Sequence, residues 1–308
     1  MVAKIAPAQE LLAEMNEEFC DVGHGITLCY ETFGEKHNPA VVLIMGLSTQ
    51  MIAWHRDFCN ALADKGFYVV RFDNRDIGRS THVDGKPPTP VQLLLRAKGA
   101  AHYDLADMAE DTANLIKRLD IAPAHIVGAS MGGMIAQTVA ARHPEVVRSL
   151  TSIMSTTGNR RYGQPSFKTY PVLLRKRPNS RESYIASVEH IFSLIGSPGI
   201  HRSPEDIRSL AEQSYERDHD PRGPGRQLAA IIASGNRTKE LQEIKAPTLV
   251  IHGDSDILIH PSGGKATFNA IPDARFVSIM GMGHDMPREL WPRIIDLISE
   301  HAHFTQQY

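Results

Sequence analysis

Apolar residues along the chain follow two alternating periods. Residues 40–45 (AVVLIM) are apolar without a break, as a strand buried on both faces of a sheet should be. Similar runs recur at 68–73 (YVVRFD), 124–129 (AHIVGA), 147–154, 247–252 (PTLVIH) and 274–280 (ARFVSIM). Between them the spacing becomes helical. Residues 54–64 form one such stretch, and Leu105, Met108, Thr112, Leu115, Ile116 and Leu119 mark a second. Residues 131–143, stopped by Pro144, form a third, and 288–301 a fourth. Strand runs alternating with helical runs predict right-handed crossovers and an α/β fold: a mostly parallel sheet with helices on both faces.

Two regions depart from this rhythm. Near the start, Leu11, Leu12, Met15 and Phe19 share one helical face, which predicts a short helix over 8–19 packed on the main body. Residues 21–32 (DVGHGITLCYET) then place a Gly-His-Gly turn between β-favouring residues, the pattern of a hairpin. Later, 158–243 has no apolar strand run and is rich in Arg, Ser and Pro, with helical patches at 181–195 and 204–216. It reads as a helical cap inserted over the carboxyl edge of the sheet. The expected organisation is a core over 1–157 with an N-terminal extension at 1–19, a cap over 158–243, and the core resumed over 244–308.

Composition narrows the function classes. The 308 residues are 42% hydrophobic and 22% charged, with a formal net charge of -2, so nothing pulls the chain toward nucleic acid or an anionic membrane. No stretch approaches the ~20 apolar residues of a membrane span. The first nineteen residues carry four acidic groups and no apolar run of signal-peptide length, so export is not expected. Cys20, Cys29 and Cys59 are odd in number and form no CxxC, which predicts reduced thiols in a cytoplasmic protein. No metal cluster, Walker loop or dinucleotide fingerprint is present, so neither metal nor cofactor is expected.

The chemistry-bearing signal is Gly128-Ala129-Ser130-Met131-Gly132, a G-x-S-x-G between a strand run and a helical run. A sharp strand-to-helix turn lifts the serine hydroxyl clear of the sheet, needs small neighbours, and aims the free N–H groups of the helix start at the site. A serine hydroxyl needs a base. Among 15 histidines, His284 alone follows a core strand run, sits between small residues (Gly281-Met282-Gly283-His284) and lies downstream of a candidate acid. That acid is Asp256, with Asp254 as the alternative, both just past the run at 247–252. The order Ser130, Asp256, His284 is that of α/β hydrolases. Two oxyanion donors are expected: the N–H of Met131, and the N–H of Leu47 in the loop after 40–45, with Gly46 allowing close approach. Trp54 reads either as core packing or as a wall of the acyl pocket. In the loop 72–81 (FDNRDIGRST), Asp73 and Arg75 are expected to pair and brace the turn. The basic residues Arg160, Arg161, Arg175, Lys176, Arg177 and Arg181 read as a solvated surface.

At these motifs the chain resembles the α/β-hydrolase superfamily from about residue 20 onward. The stretches MGLSTQMIAWHRDFCNALADKGFYVVRFDNRDIGRST, GASMGG, HDPRGPGRQLAA and PTLVIHGDSDILIHPSGGKA look like the bacterial esterases around aclacinomycin methylesterase. The resemblance implies an eight-stranded sheet, a helical cap and cofactor-free ester cleavage. It places the triad at Ser130, Asp256 and His284 and the oxyanion donors at Leu47 and Met131. Two positions depart from the pattern: Met45-Gly46 stands where many members have His-Gly, and Arg75-Asp76 where Arg-Gly is common. The expected function is hydrolysis of small-molecule carboxylic esters. The same triad also suits lactone opening, C–C hydrolysis, thioester hydrolysis, acyl transfer and perhydrolysis, and the fold also hosts small-molecule receptors.

Overall fold

The computed structural model describes residues 15–89, 91–92, 98–173 and 178–305. Eight strands form one sheet: β1 (Glu18–Gly23), β2 (Ile26–Phe33), β3 (Ala40–Ile44), β4 (Tyr68–Phe72), β5 (Ala124–Ala129), β6 (Val147–Ile153), β7 (Thr248–Gly253) and β8 (Arg275–Ile279). Their spatial order is β1-β2-β4-β3-β5-β6-β7-β8. The pairs β1·β2 and β2·β4 are antiparallel and the others parallel. The mostly parallel α/β sheet expected from the apolar runs is therefore present.

Alternation along the central strand explains why helices cover both faces. Val42 and Ile44 point to one core layer, together with apolar residues of α2 (Leu105–Arg118) and α3 (Met131–Arg142). Val41 and Leu43 point to the other layer, against α1 (Arg56–Ala63) and the C-terminal helix, α8 (Trp291–Phe304). The inner strands β3, β4, β5 and β7 are thus buried on both sides, which is why their runs lack polar alternation. Helix α2 begins with a capping box in which Asp104 and Asp107 satisfy each other's backbone donors, a device worth roughly 1 kcal/mol.

Between β6 and β7 stand α4 (Arg181–Ile195), α5 (Pro204–Arg217) and α6 (Gly223–Ser234). Ser180 and Ser203 cap the first two, which pack through Tyr184, Ile185, Val188 and Ala211 in a small apolar cluster of their own. Helix α7 (Ser262–Ala270) follows β7. Among the described residues, no helix is long and apolar enough to cross a membrane.

One expectation at the start of the chain is corrected. Phe19, placed on a helical face by its spacing, lies in β1 opposite Cys29 and is 57% exposed. The backbone gains a full ladder against β2, which overrides a weak local helical period. The two-residue turn closing this hairpin has both His24 and Gly25 at positive φ (54° and 74°), the geometry that matches strand twist. Residues 8–14 of the expected helix, with Leu11 and Leu12, lie outside the described residues.

Candidate active site

Ser130 sits between β5 and α3 with φ 57° and ψ -121°, a conformation that costs a residue with a Cβ about 1–3 kcal/mol. Its surroundings hold it there. Its N–H donates to the Ile153 carbonyl of β6 at 2.9 Å, and its carbonyl accepts from Met134 N–H at 3.2 Å. The neighbouring glycines are steric requirements. A Cβ on Gly128 would meet the Gly132 carbonyl oxygen at 2.1 Å, and one on Gly132 would meet that of Ile44 at 2.1 Å. On the facing loop, a Cβ at Gly46 would stand 3.0 Å from Ser130 Cβ, so glycine lets the two loops touch.

The structure brings three side chains together at this turn. His284 Nε2 lies 2.9 Å from Ser130 Oγ, and His284 Nδ1 lies 2.7 Å from Asp256 Oδ2. Asp256 is 2% exposed and His284 7%. The other carboxylate oxygen of Asp256 accepts from the N–H groups of Leu258 and Ile259, each at 2.9 Å. Burial opposes the charge on Asp256, but the His284 imidazole and hydrogen bonds from His252 and His284 outweigh it. They hold the carboxyl well below the usual carboxylate range. An ionised Asp256 keeps the His284 proton on Nδ1 and leaves Nε2 free to accept from the serine hydroxyl. Asp254 is exposed and accepts from Gly281 N–H at 2.8 Å and Ser255 Oγ at 2.9 Å, so it braces the turn.

The loop that carries His284 is fastened from the segment between β6 and β7. His284 N–H donates to the Ile195 carbonyl at 2.8 Å, and Gly283 N–H donates to Ser197 Oγ at 2.9 Å. The buried Asp285 accepts from Ser197 N–H at 2.9 Å and from Arg202 Nη1 at 2.6 Å.

Met131 N–H opens α3, where the first amides of a helix have no partner within it. Leu47 is half-buried in the loop after β3. Among the described residues, neither amide donates to a protein acceptor. Trp54 is buried in the core layer of α1 and α8, its ring 5.4 Å from that of Phe58, which makes it a packing residue.

The expected pairing of Asp73 with Arg75 is corrected. Asp73 Oδ2 binds Arg217 Nη1 at 2.5 Å, while Arg75 makes a two-pronged pair with Asp111 of α2 at 2.6 and 2.7 Å. Asp73 folds back over its own loop, accepting from the N–H groups of Met51 and Arg79. That leaves Arg75 aimed the other way, over the Tyr103 ring. Asp76 in turn pairs with Arg226 at 2.6 Å. Arg160 and Arg161 are exposed, as a solvated surface requires; Arg175, Lys176 and Arg177 lie outside the described residues.

Several residues around the site escaped the sequence reading: Gln227, Arg217, Arg226, Arg202, Asp285 and His252. The last has Nε2 2.8 Å from the Ile259 carbonyl and 3.3 Å from Asp256 Oδ2. The one available signal was the run HDPRGPGRQLAA, which holds Arg226 and Gln227 but does not reveal that both are buried.

A strained serine turn at the carboxyl end of a parallel sheet, facing an imidazole from the loop after the last strand, defines an α/β hydrolase. The chain belongs to the alpha/beta hydrolase fold family, which it matches over residues 39–287. It is similar to the rhodomycin D methylesterase DnrP of Streptomyces peucetius, at 24% identity over 90% of this chain and 95% of that one. It is also similar to BpoC of Mycobacterium tuberculosis, which is named as a non-heme bromoperoxidase, at 27% identity over 84% of this chain and 91% of the other. Among solved structures, a thermophilic esterase from Thermogutta terrifontis shares the fold with a TM-score of 0.72. It is 22% identical and covers 94% of this chain and 99% of its own.

Proposed function

We propose that this protein cleaves carboxylic esters of small molecules through an acyl-enzyme on Ser130. The observation that carries this reading is the unbroken chain of contacts from Ser130 Oγ to His284 to Asp256, at 2.9 and 2.7 Å. Ser130 Oγ attacks the ester carbonyl carbon while its proton passes to His284 Nε2. Asp256 steadies the imidazolium that forms. The carbonyl oxygen takes up negative charge against the N–H groups of Leu47 and Met131. The C–O bond to the alcohol then breaks, and His284 returns the proton to the leaving oxygen. Water repeats the sequence on the acyl-enzyme and releases the acid.

The similarity to a rhodomycin D methylesterase supports esters as the substrate class. In this reading 158–243 acts as a cap whose helices fasten the catalytic loops and bound the substrate pocket. Three unpaired cysteines, two of them buried, support a reducing, cytoplasmic setting. The test is hydrolysis of a short p-nitrophenyl ester together with labelling by a fluorophosphonate. Both are expected in the wild type and lost in Ser130→Ala. Turnover that survives the substitution refutes the reading.

A further inference from the structure

Gln227 is fully buried on α6 of the inserted segment, yet its amide touches two loops of the core at once. Its side-chain oxygen accepts from Ser48 N–H at 2.9 Å, and its side-chain nitrogen donates to the Arg75 carbonyl at 2.9 Å. Turning the amide over would set oxygen against oxygen and N–H against N–H, so the two bonds determine its orientation.

Ser48 is the third residue of a turn closed by Thr49 N–H on the Gly46 carbonyl at 3.3 Å, and its φ is 66°. Positive φ at that position belongs to a type II turn, where glycine is the favoured residue; in type I the central peptide is rotated by half a turn. A serine there disfavours the observed geometry, because its Cβ crowds the backbone. The Leu47–Ser48 peptide is therefore held from outside. Gln227 holds its N–H, and Thr49 Oγ1 donates to its carbonyl at 3.1 Å. The same turn carries Leu47 N–H.

We infer that Gln227 is a positioning residue for the oxyanion loop, tying the Gly46–Thr49 turn to the Arg75 loop so that the turn presents Leu47 N–H to the reacting oxygen. The inference rests on the proposed role of Leu47 as an oxyanion donor. It also explains how a helix of the insert acts on chemistry it does not touch. Without the amide, the turn loses its tie to the Arg75 loop, the segment that carries Leu47 N–H can shift as a unit, and the donor is less firmly preorganised.

The test compares wild type, Gln227→Met and the double variant Gln227→Met/Ser48→Gly. The readouts are Ser48 amide exchange by NMR, kcat and KM on a p-nitrophenyl ester, and inhibition by a trifluoromethyl ketone that forms a tetrahedral adduct on the serine. In folded Gln227→Met, Ser48 exchange accelerates and kcat falls about ten- to a hundredfold, less than or equal to the loss of a whole donor. KM stays near the wild-type value, and inhibition weakens in proportion to kcat/KM. Ser48→Gly then recovers part of kcat, because glycine takes positive φ without strain. A folded Gln227→Met enzyme with wild-type kcat and unchanged Ser48 exchange overturns the inference, as does a change confined to KM. If Gln227→Met does not fold, Gln227→Leu is read the same way, and rapid Ser48 exchange in the wild type overturns the inference without any variant. Absence of Ser130-dependent turnover in the wild type sinks the proposed reaction alone, while Ser48 exchange still decides whether Gln227 holds the loop.

Discussion

Asp73 and Arg217 stand 144 residues apart in the chain, yet Asp73 Oδ2 and Arg217 Nη1 lie 2.5 Å apart with neither side chain reached by solvent. The pair ties α5 to the loop after β4. Arg217 also donates to Gln50 Oε1 at 3.0 Å and binds Glu17.

Removing one partner leaves the other charge buried. Arg217→Met is therefore expected to destabilise the protein by about 3–5 kcal/mol, because the desolvated Asp73 carboxylate loses its counter-charge. Arg217→Met combined with Asp73→Asn is expected to be less destabilising than the sum of the two single changes. Urea unfolding of the four proteins in the cycle measures this. Strict additivity would show that the two side chains do not interact energetically.

The turn beneath Ser130 makes a steric prediction. A Cβ on Gly132 would lie 2.1 Å from the Ile44 carbonyl oxygen and 2.8 Å from that of Met45, both of them backbone. Gly132→Ala must push α3 away from β3, so we expect loss of most ester turnover and a clear drop in Tm. Gly99→Ala is the control, since a Cβ there meets nothing within 4 Å. It should change stability by no more than about 0.5 kcal/mol.

The two aspartates after β7 separate by charge. Asp256→Asn keeps the shape but removes the charge that holds the His284 tautomer, and kcat should fall about a thousandfold or more. Asp254→Asn alters only a turn-bracing contact to Gly281 and Ser255, so kcat should change little. Steady-state kinetics on one ester distinguishes them; the reverse ranking would transfer the acid's role to Asp254.

A pH effect on stability follows from His82. Its Nε2 lies 3.0 Å from Asp218 and its Nδ1 3.4 Å from Asp220, and the Asp218 hydrogen bond raises its pKa above the ordinary histidine value. A raised folded-state pKa means the protonated form is favoured by folding. The stabilisation is complete below the unfolded pKa of about 6.5 and is lost as pH rises through the raised value. Wild-type Tm should accordingly decline over that window more steeply than that of His82→Gln, and parallel Tm curves would remove the assignment. The side chain is 28% exposed, so the effect is screened and modest.

What could be read from the sequence alone follows from covalent order. The apolar runs at 40–45, 68–73 and 124–129 correspond to β3, β4 and β5, because a strand buried on both faces is predominantly apolar. Ser130 was legible because a tight strand-to-helix turn demands small residues at fixed spacing around it. His284 and Asp256 were legible because each follows a core strand. Their neighbours were not. Spacing pairs Asp73 with Arg75 because only near neighbours are visible in a sequence, whereas their partners in the structure, Arg217 and Asp111, come from distant helices. Nothing in the letters separates the buried Arg226 from the exposed Arg160.

The sequence by itself determined the period of the inner strands and of the helices beside them, and the candidate residues Ser130, Asp256 and His284, since both depend on local spacing. Only the tertiary structure decided which guanidinium meets which carboxylate, and that Gln227 reaches the loop of Leu47. Such contacts depend on how the helices between β6 and β7 pack against the loops of the sheet, and that packing is set in three dimensions rather than by distance along the chain.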